Sequence, residues 1–273
     1  MKILMCGDVV GRTGRDAITS YIPILRKQWS LDLVVVNGEN AAHGFGITQS
    51  ICESFYKAGV DVITTGNHVW DQKEILPILD KDKRILRPLN YPEQSPGRGM
   101  ITVETSNGKK TVIINVMGRL FMDPLDDPFA ALDKALAPHR RGITASAILI
   151  DFHGEASSEK MAAAHYVADR ATALVGTHTH VPTSDTRILK GGLAYQTDLG
   201  MVGDYDSVVG MQKSVPIQRF TRKYAMDRLM PAEGEATLCG LYIETDDKTG
   251  EALTVRPVRL GGLLSPTDDI TLK

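Results

Sequence analysis

Short, near-continuous runs of β-branched and aliphatic residues, each followed by an amphipathic stretch, set the strongest limit on what this chain can fold into. Residues 3–6, 33–36 and 60–64 are such runs, and residues 16–29 and 49–58 between them carry a helical period. A strand that is apolar at every position must be covered on both faces, and the intervening helices supply that cover, so the chain opens as βαβαβ with a parallel sheet. A helix is expected near 74–79, followed by a Pro- and Gly-rich surface loop over 87–99, placed to border a pocket. Asn107-Gly108 between the runs 100–104 and 111–116 predicts a hairpin turning over 106–109, which adds an antiparallel part to the sheet. Further helices are expected at 128–137 and 158–169, and strands at 145–150 and 173–175. The end of the chain reads as largely β, with strands at 188–195, 239–244 and 253–260. Stacked, these elements predict a four-layer α/β/β/α sandwich of mixed sheets, read as one domain over residues 1–273 because that length fills one large α/β core.

Lys and Arg total 31 against 33 acids, a net charge of -2, so no broad surface for nucleic acid or an anionic membrane is expected. Any phosphate must be held locally. No apolar run approaches the ~18 residues of a membrane span, and Asp8 arrives too early for the apolar core of a signal peptide. A cytoplasmic protein is expected. Cys6, Cys52 and Cys239 are far apart and show no CxxC spacing, so they read as small buried hydrophobes.

Polar residues of metal-binding type follow the apolar runs: Asp8, then Glu39 and Asn40, then Asn67 and His68, then His153, then His178 and His180. Carboxyl ends of strands in an open α/β sheet are where ligands bind, so residues far apart in sequence converge there. Each residue alone has an ordinary explanation. Asp8 serves equally as a helix cap, and a lone histidine is commonly a satisfied core or surface group. Gly7, Gly11 and Gly14 give GxxxGxxG rather than GxGxxG, and no GxxxxGK[ST] occurs, which argues against a dinucleotide or P-loop site. Three imidazoles in register with Asp8, Glu39 and Asn67 favour metal instead. Glu39 suits a bridging role, because two ions ~3.5–4 Å apart need a group with an oxygen for each. His178 and His180, two apart in a segment taken as extended, project to one side. His68, beside Asn67 but free of it, suits a general acid. His139 and His165 lack this placement, and His43 sits undecided in a Gly-rich loop.

The set Gly7-Asp8, Gly38-Glu39-Asn40, Gly66-Asn67-His68, Phe152-His153-Gly154-Glu155 and Gly176-Thr177-His178-Thr179-His180 resembles the ordered motifs of the calcineurin-like metallophosphoesterases. Asn37-Gly38-Glu39-Asn40-Ala41-Ala42, Thr65-Gly66-Asn67-His68-Val69-Trp70-Asp71 and Asp151-Phe152-His153-Gly154-Glu155 are similar to its bacterial YmdB-type branch, whose members act on cyclic nucleotides. The superfamily pattern opens Asp-x-His, whereas Val10 stands two after Asp8 here. The branch resemblance implies that Asn40 fills the gap beside Asp8, Glu39 and His180, while Glu39, Asn67, His153 and His178 hold a second ion. It favours iron, with manganese or zinc as alternatives, which agrees with a ligand set free of thiolate. It further implies hydrolysis of a 2′,3′-cyclic nucleotide at the 2′ bond by a metal-bridging hydroxide, with His68 protonating the leaving group, and is compatible with a homo-oligomer. A nucleotide-sensing protein with slow turnover, and a phosphomonoesterase on the same scaffold, are the alternatives.

Overall fold

Strand β1 (Lys2–Val10) shows why the sandwich forms: Ile3 and Met5 enter one apolar cluster while Leu4 and Cys6 enter another on the opposite face. In the computed structural model, which describes residues 1–105, 107–224 and 227–267, that two-sided burial recurs through both sheets. Helix α1 (Gly11–Trp29) turns Ile18, Ile22 and Leu25 onto the sheet at helical spacing. Each of these fully buried side chains contributes on the order of 2 kcal/mol by leaving water. The helix stops at Ser30, which takes the left-handed conformation and returns its N–H to the Arg26 and Lys27 carbonyls.

Strands β2 (Leu33–Asn40) and β3 (Val62–Thr64) extend β1 in parallel, with α2 (Gln49–Ala58) between them and the short α3 (Leu76–Leu79) after them. Thr48 caps α2 by accepting from the Ile51 N–H. The hairpin β4 (Met100–Glu104) and β5 (Lys110–Met117) opens the second sheet. Its expected turn position Ser106 lies outside the described residues. After α4 (Pro128–Leu136) come β6 (Ala147–His153), α5 (Ser157–Val167) and β7 (Ala173–Thr177), all strands here parallel to β5.

Two expectations need correction. The run 188–195 is not one strand but two, β8 (Arg187–Leu189) and β9 (Leu193–Gln196), paired antiparallel. Gly191 and Gly192 both have positive φ, which lets the chain reverse inside the apolar run. Strand β10 (Met201–Asp204) and helix α6 (Ser214–Arg222) went unrecognised, and they precede β11 (Ala236–Thr245) and β12 (Ala252–Leu260).

The first sheet runs β12-β11-β10-β1-β2-β3 and the second β4-β5-β6-β7-β9-β8, both mixed. One apolar cluster lies between the first sheet and α1 and α2, a second between the other sheet and α4 and α5. A third joins Ile3, Val35 and Val62 to Ile113, Leu149 and Val175, which places the two sheets face to face. The order of layers is therefore α/β/β/α, as expected. No helix among the described residues is long and apolar enough to cross a membrane.

Candidate metal centre

The parallel strands β1, β2 and β3 of one sheet and β6 and β7 of the other bring their carboxyl ends together. Asp8 sits within β1, where the register to β2 shifts on either side of it. Its Oδ2 accepts the backbone N–H of His178 at 3.1 Å from the opposite sheet. Its Oδ1 is buried with no hydrogen-bond partner, and so are Glu39 Oε1 and Asn40 Oδ1. Asn40 spends its amide nitrogen on the Gly44 carbonyl at 3.0 Å, which leaves only the oxygen for the site. Three orphaned oxygens, two of them carboxylate, are costly to bury without a cation.

Around His153 Nε2 lie Asn67 Oδ1 at 3.0 Å, Glu39 Oε1 at 3.1 Å and His178 Nδ1 at 3.1 Å. Four donor atoms from four strand ends thus face one point. The outer partners set which lone pair points inward. His153 Nδ1 lies 2.9 Å from Thr177 Oγ1, whose own proton goes to Asp151 Oδ1 at 2.6 Å, so Nδ1 donates and Nε2 is left for the site. Asp151 Oδ2 is fixed in turn by Asn37 Nδ2 at 3.2 Å and Thr64. His180 Nδ1 donates to the Val209 carbonyl at 2.8 Å, leaving Nε2 to face Asp8 Oδ1 at 3.9 Å.

The electrostatics ask for positive charge at this place. Burial pushes the Asp8 carboxyl up to about 7, against the pull of His180 and His153. For Glu39 burial acts in the same direction but is outweighed by His153 and His68, bringing it down to about 2. His153 is pushed up to about 9 because Glu39, Asp8 and Asp151 overcome its burial. Burial and the neighbouring His153 hold His178 down at about 3, a neutral imidazole fit to donate its lone pair. A site that raises one imidazole and leaves carboxylate oxygens unpaired suits a cation richer in charge than a proton. Mixed oxygen and imidazole donors without thiolate suit a first-row transition metal. Gly66 is required by the same crowding, since a Cβ there would overlap His153 Nε2 and Glu39 Oε2.

His68 joins the others only through its backbone, donating its N–H to Glu39 Oε2 at 3.1 Å. The ring is held apart by Asp71 Oδ2, 2.8 Å from Nδ1, and packs edge-on against Phe45 at 5.0 Å between centroids. One assumption fails: the segment carrying His178 and His180 is not extended, because both residues have positive φ, 99° and 64°. The exposed His43 contributes to none of these contacts. The loop 87–99 does border a cavity, of about 680 Å³ and shared with α4, but Arg87, Tyr91, Asp126 and Lys134 line it and none of the donor residues does.

Residues 4–258 match the family model described as YmdB-like protein. The chain belongs to the YmdB-like family. This YmdB-like protein is 46% identical over 258 residues to a Bacillus subtilis 2′,3′-cyclic-nucleotide 2′-phosphodiesterase, covering 94% of this chain and 96% of that one. It is 33% identical over 267 residues to a Mycoplasma genitalium protein named as a putative phosphatase/phosphodiesterase, covering 95% and 93%. Among solved structures it resembles a hypothetical protein from Thermus thermophilus, with TM-score 0.89, 40% identity, and 96% and 100% of the two chains covered. It also resembles a novel phosphatase from Mycoplasma pneumoniae, with TM-score 0.89, 32% identity, and 96% and 93% covered.

Several residues that shape this centre in the YmdB-like protein were not singled out from sequence. Asp71 stands three after His68, a helical-turn spacing that points to a partner. Glu155, 3.4 Å from His178 Nε2 at its Oε2, sits two after His153 inside a quoted motif. Asn37 and Asp151 lie in apolar strands, where a buried amide or carboxylate is itself the signal.

Proposed function

We propose that this YmdB-like protein is a metal-dependent phosphodiesterase that opens 2′,3′-cyclic nucleotides at the 2′ bond to leave 3′-phosphates. The observation that carries this reading is the convergence of Glu39, Asn67, His153 and His178 donor atoms beside the unpaired Asp8 and Asn40 oxygens. The substrate class follows from the Bacillus relative. In this reading Asp8, Glu39, Asn40 and His180 would hold one ion and Glu39, Asn67, His153 and His178 the other. Iron is the proposed metal. The chemistry such ions would supply is neutralisation of phosphoryl charge and a water acidic enough to lose a proton near neutral pH.

The chain's own residues do the rest. Thr177 and Asp151 keep His153 in the tautomer whose Nε2 faces inward. His180 is held likewise by the Val209 carbonyl. His68 carries the proton that the departing 2′ oxygen needs, and Asp71 fixes which nitrogen donates by accepting from Nδ1, leaving Nε2 for the leaving group. Asp71→Asn should therefore lower kcat by about tenfold, the scale of one charge-assisted hydrogen bond, with metal content unchanged by elemental analysis. An unaltered kcat would remove Asp71 from the proton path.

The direct test is turnover of 2′,3′-cyclic AMP by purified protein, before and after chelation, with nucleotide products separated by chromatography. The expected product is the 3′-monophosphate, with activity lost on chelation and restored by iron or manganese. The phosphatase half of the Mycoplasma relatives' names makes continued hydrolysis to the nucleoside the outcome that would shift the reading to a monoesterase. Turnover of no phosphodiester, bis-p-nitrophenyl phosphate included, would overturn it. We further propose that the chain works in the cytoplasm as one domain.

A further inference from the structure

Helix α5 buries a lysine completely. Lys160 has no exposed surface, and its ammonium donates to Asp198 Oδ2 at 2.7 Å and to the Thr177 carbonyl at 2.8 Å. Asp198, also buried, is used on every side: Oδ2 accepts the Thr179 N–H at 3.1 Å and Oδ1 the Gly200 N–H at 2.8 Å. Taking two ions from water at such depth is costly before their attraction is counted, and apolar side chains of the same volume commonly serve stability as well. Stability is thus a poor account of why this pair is here. What distinguishes it is where its hydrogen bonds go.

The Thr177 carbonyl and the Thr179 N–H are the backbone groups on either side of His178. His178 is non-glycine at φ 99° and His180 at φ 64°, conformations that are disfavoured for side chains with a Cβ and persist only where surroundings impose them. The ammonium pulls the carbonyl before His178 down toward α5, and the carboxylate takes the amide after it. The His178 N–H itself goes to Asp8 Oδ2. Gly176 belongs to the same device, because a Cβ there would overlap the Thr197 carbonyl and press on Lys160 Cδ. We infer that the Lys160–Asp198 pair is a positioning device that holds the Thr177–His180 turn in its left-handed path and so aims the His178 and His180 imidazoles at the metal centre. This rests on the proposed role of those two histidines as ligands.

The test compares how firmly metal-loaded proteins keep their ions against increasing EDTA, read as bound metal after desalting, with kcat and thermal midpoint measured alongside. Lys160→Met with Asp198→Asn removes both charges together, so no lone buried ion is left, yet it leaves the Thr177 carbonyl only the Gly154 N–H at 3.3 Å and gives the Thr179 and Gly200 N–H groups one amide oxygen in place of two carboxylate oxygens. The EDTA concentration for half release should fall by about 10- to 100-fold, the range for lost outer partners of metal ligands. Lys160→Gln, which keeps two N–H donors for the same oxygens, should recover most of that loss, and Lys160→Met alone serves if the double variant does not fold. A double variant, or failing that Lys160→Met, with a lower thermal midpoint but the parent's EDTA profile and kcat would overturn the inference and make the pair structural. His178→Ala is the reference: should it retain metal like the parent, the ligand assignment itself falls, whereas metal loss there with none in the pair variants overturns the positioning role alone.

Discussion

His68→Ala is expected to keep its full complement of metal and to lose about 10²- to 10⁴-fold in kcat on 2′,3′-cyclic AMP, the range for removal of a general acid. The geometry separates the two properties. Only the His68 backbone N–H reaches Glu39, and alanine keeps that donor, while the ring that is lost is held by Asp71 rather than by any donor of the centre. The leaving group supplies an internal control. A ribose alkoxide departs poorly without a proton, whereas p-nitrophenolate departs without help, so the same variant should retain most of the parent's rate on bis-p-nitrophenyl phosphate. Elemental analysis and the two assays decide together: lost metal would place the ring among the ligands, and an equal loss on both substrates would refute the acid role.

Glu39→Ala should have the opposite signature, fewer than two ions per chain and a kcat lower by about 10³-fold or more on either substrate, since each ion is worth several kcal/mol of transition-state charge. Glu39 Oε1 faces His153 at 3.1 Å while Oε2 takes the His68 N–H, so truncation removes one donor and frees the segment that presents Asn67. The neighbours feel it too. Glu39 is the foremost of the acids that hold His153 up at about 9, so without it His153 loses its strongest partner and the centre its main draw for a cation. Metal content is the deciding measurement, and a fully loaded variant would refute the bridge.

The layers were legible because two-sided burial writes itself as continuous apolar runs, and β1, β2, β6 and β7 are all of that kind. The residues that meet at the centre were legible for a related reason: a polar side chain at the end of such a run has few ways to be buried. What escaped notice is equally physical. Strand β10 is four residues long with a glycine inside, too short to show a period. Lys160 lies on a helix as a charged residue among alanines, which reads as solvent-facing until the packing shows it fully covered. The backbone of His178 and His180 was misjudged because left-handed geometry at non-glycine residues is imposed from outside, here by groups on α5 and after β9. The division of donors between two ions came from family resemblance alone.

Contacts across the centre join residues 170 positions apart in the case of His178 and Asp8, and 86 in that of His153 and Asn67. Closing such long loops costs entropy that only the docked sheets repay. The centre is therefore complete only where the apolar layer between Ile3, Val35, Leu149 and Val175 holds the two sheets together. Neither sheet carries the full donor set, because residues 8–68 stand on one sheet and 153–180 on the other. A metal held by the whole donor set would therefore meet the two docked sheets at once, and neither sheet alone would offer it that geometry.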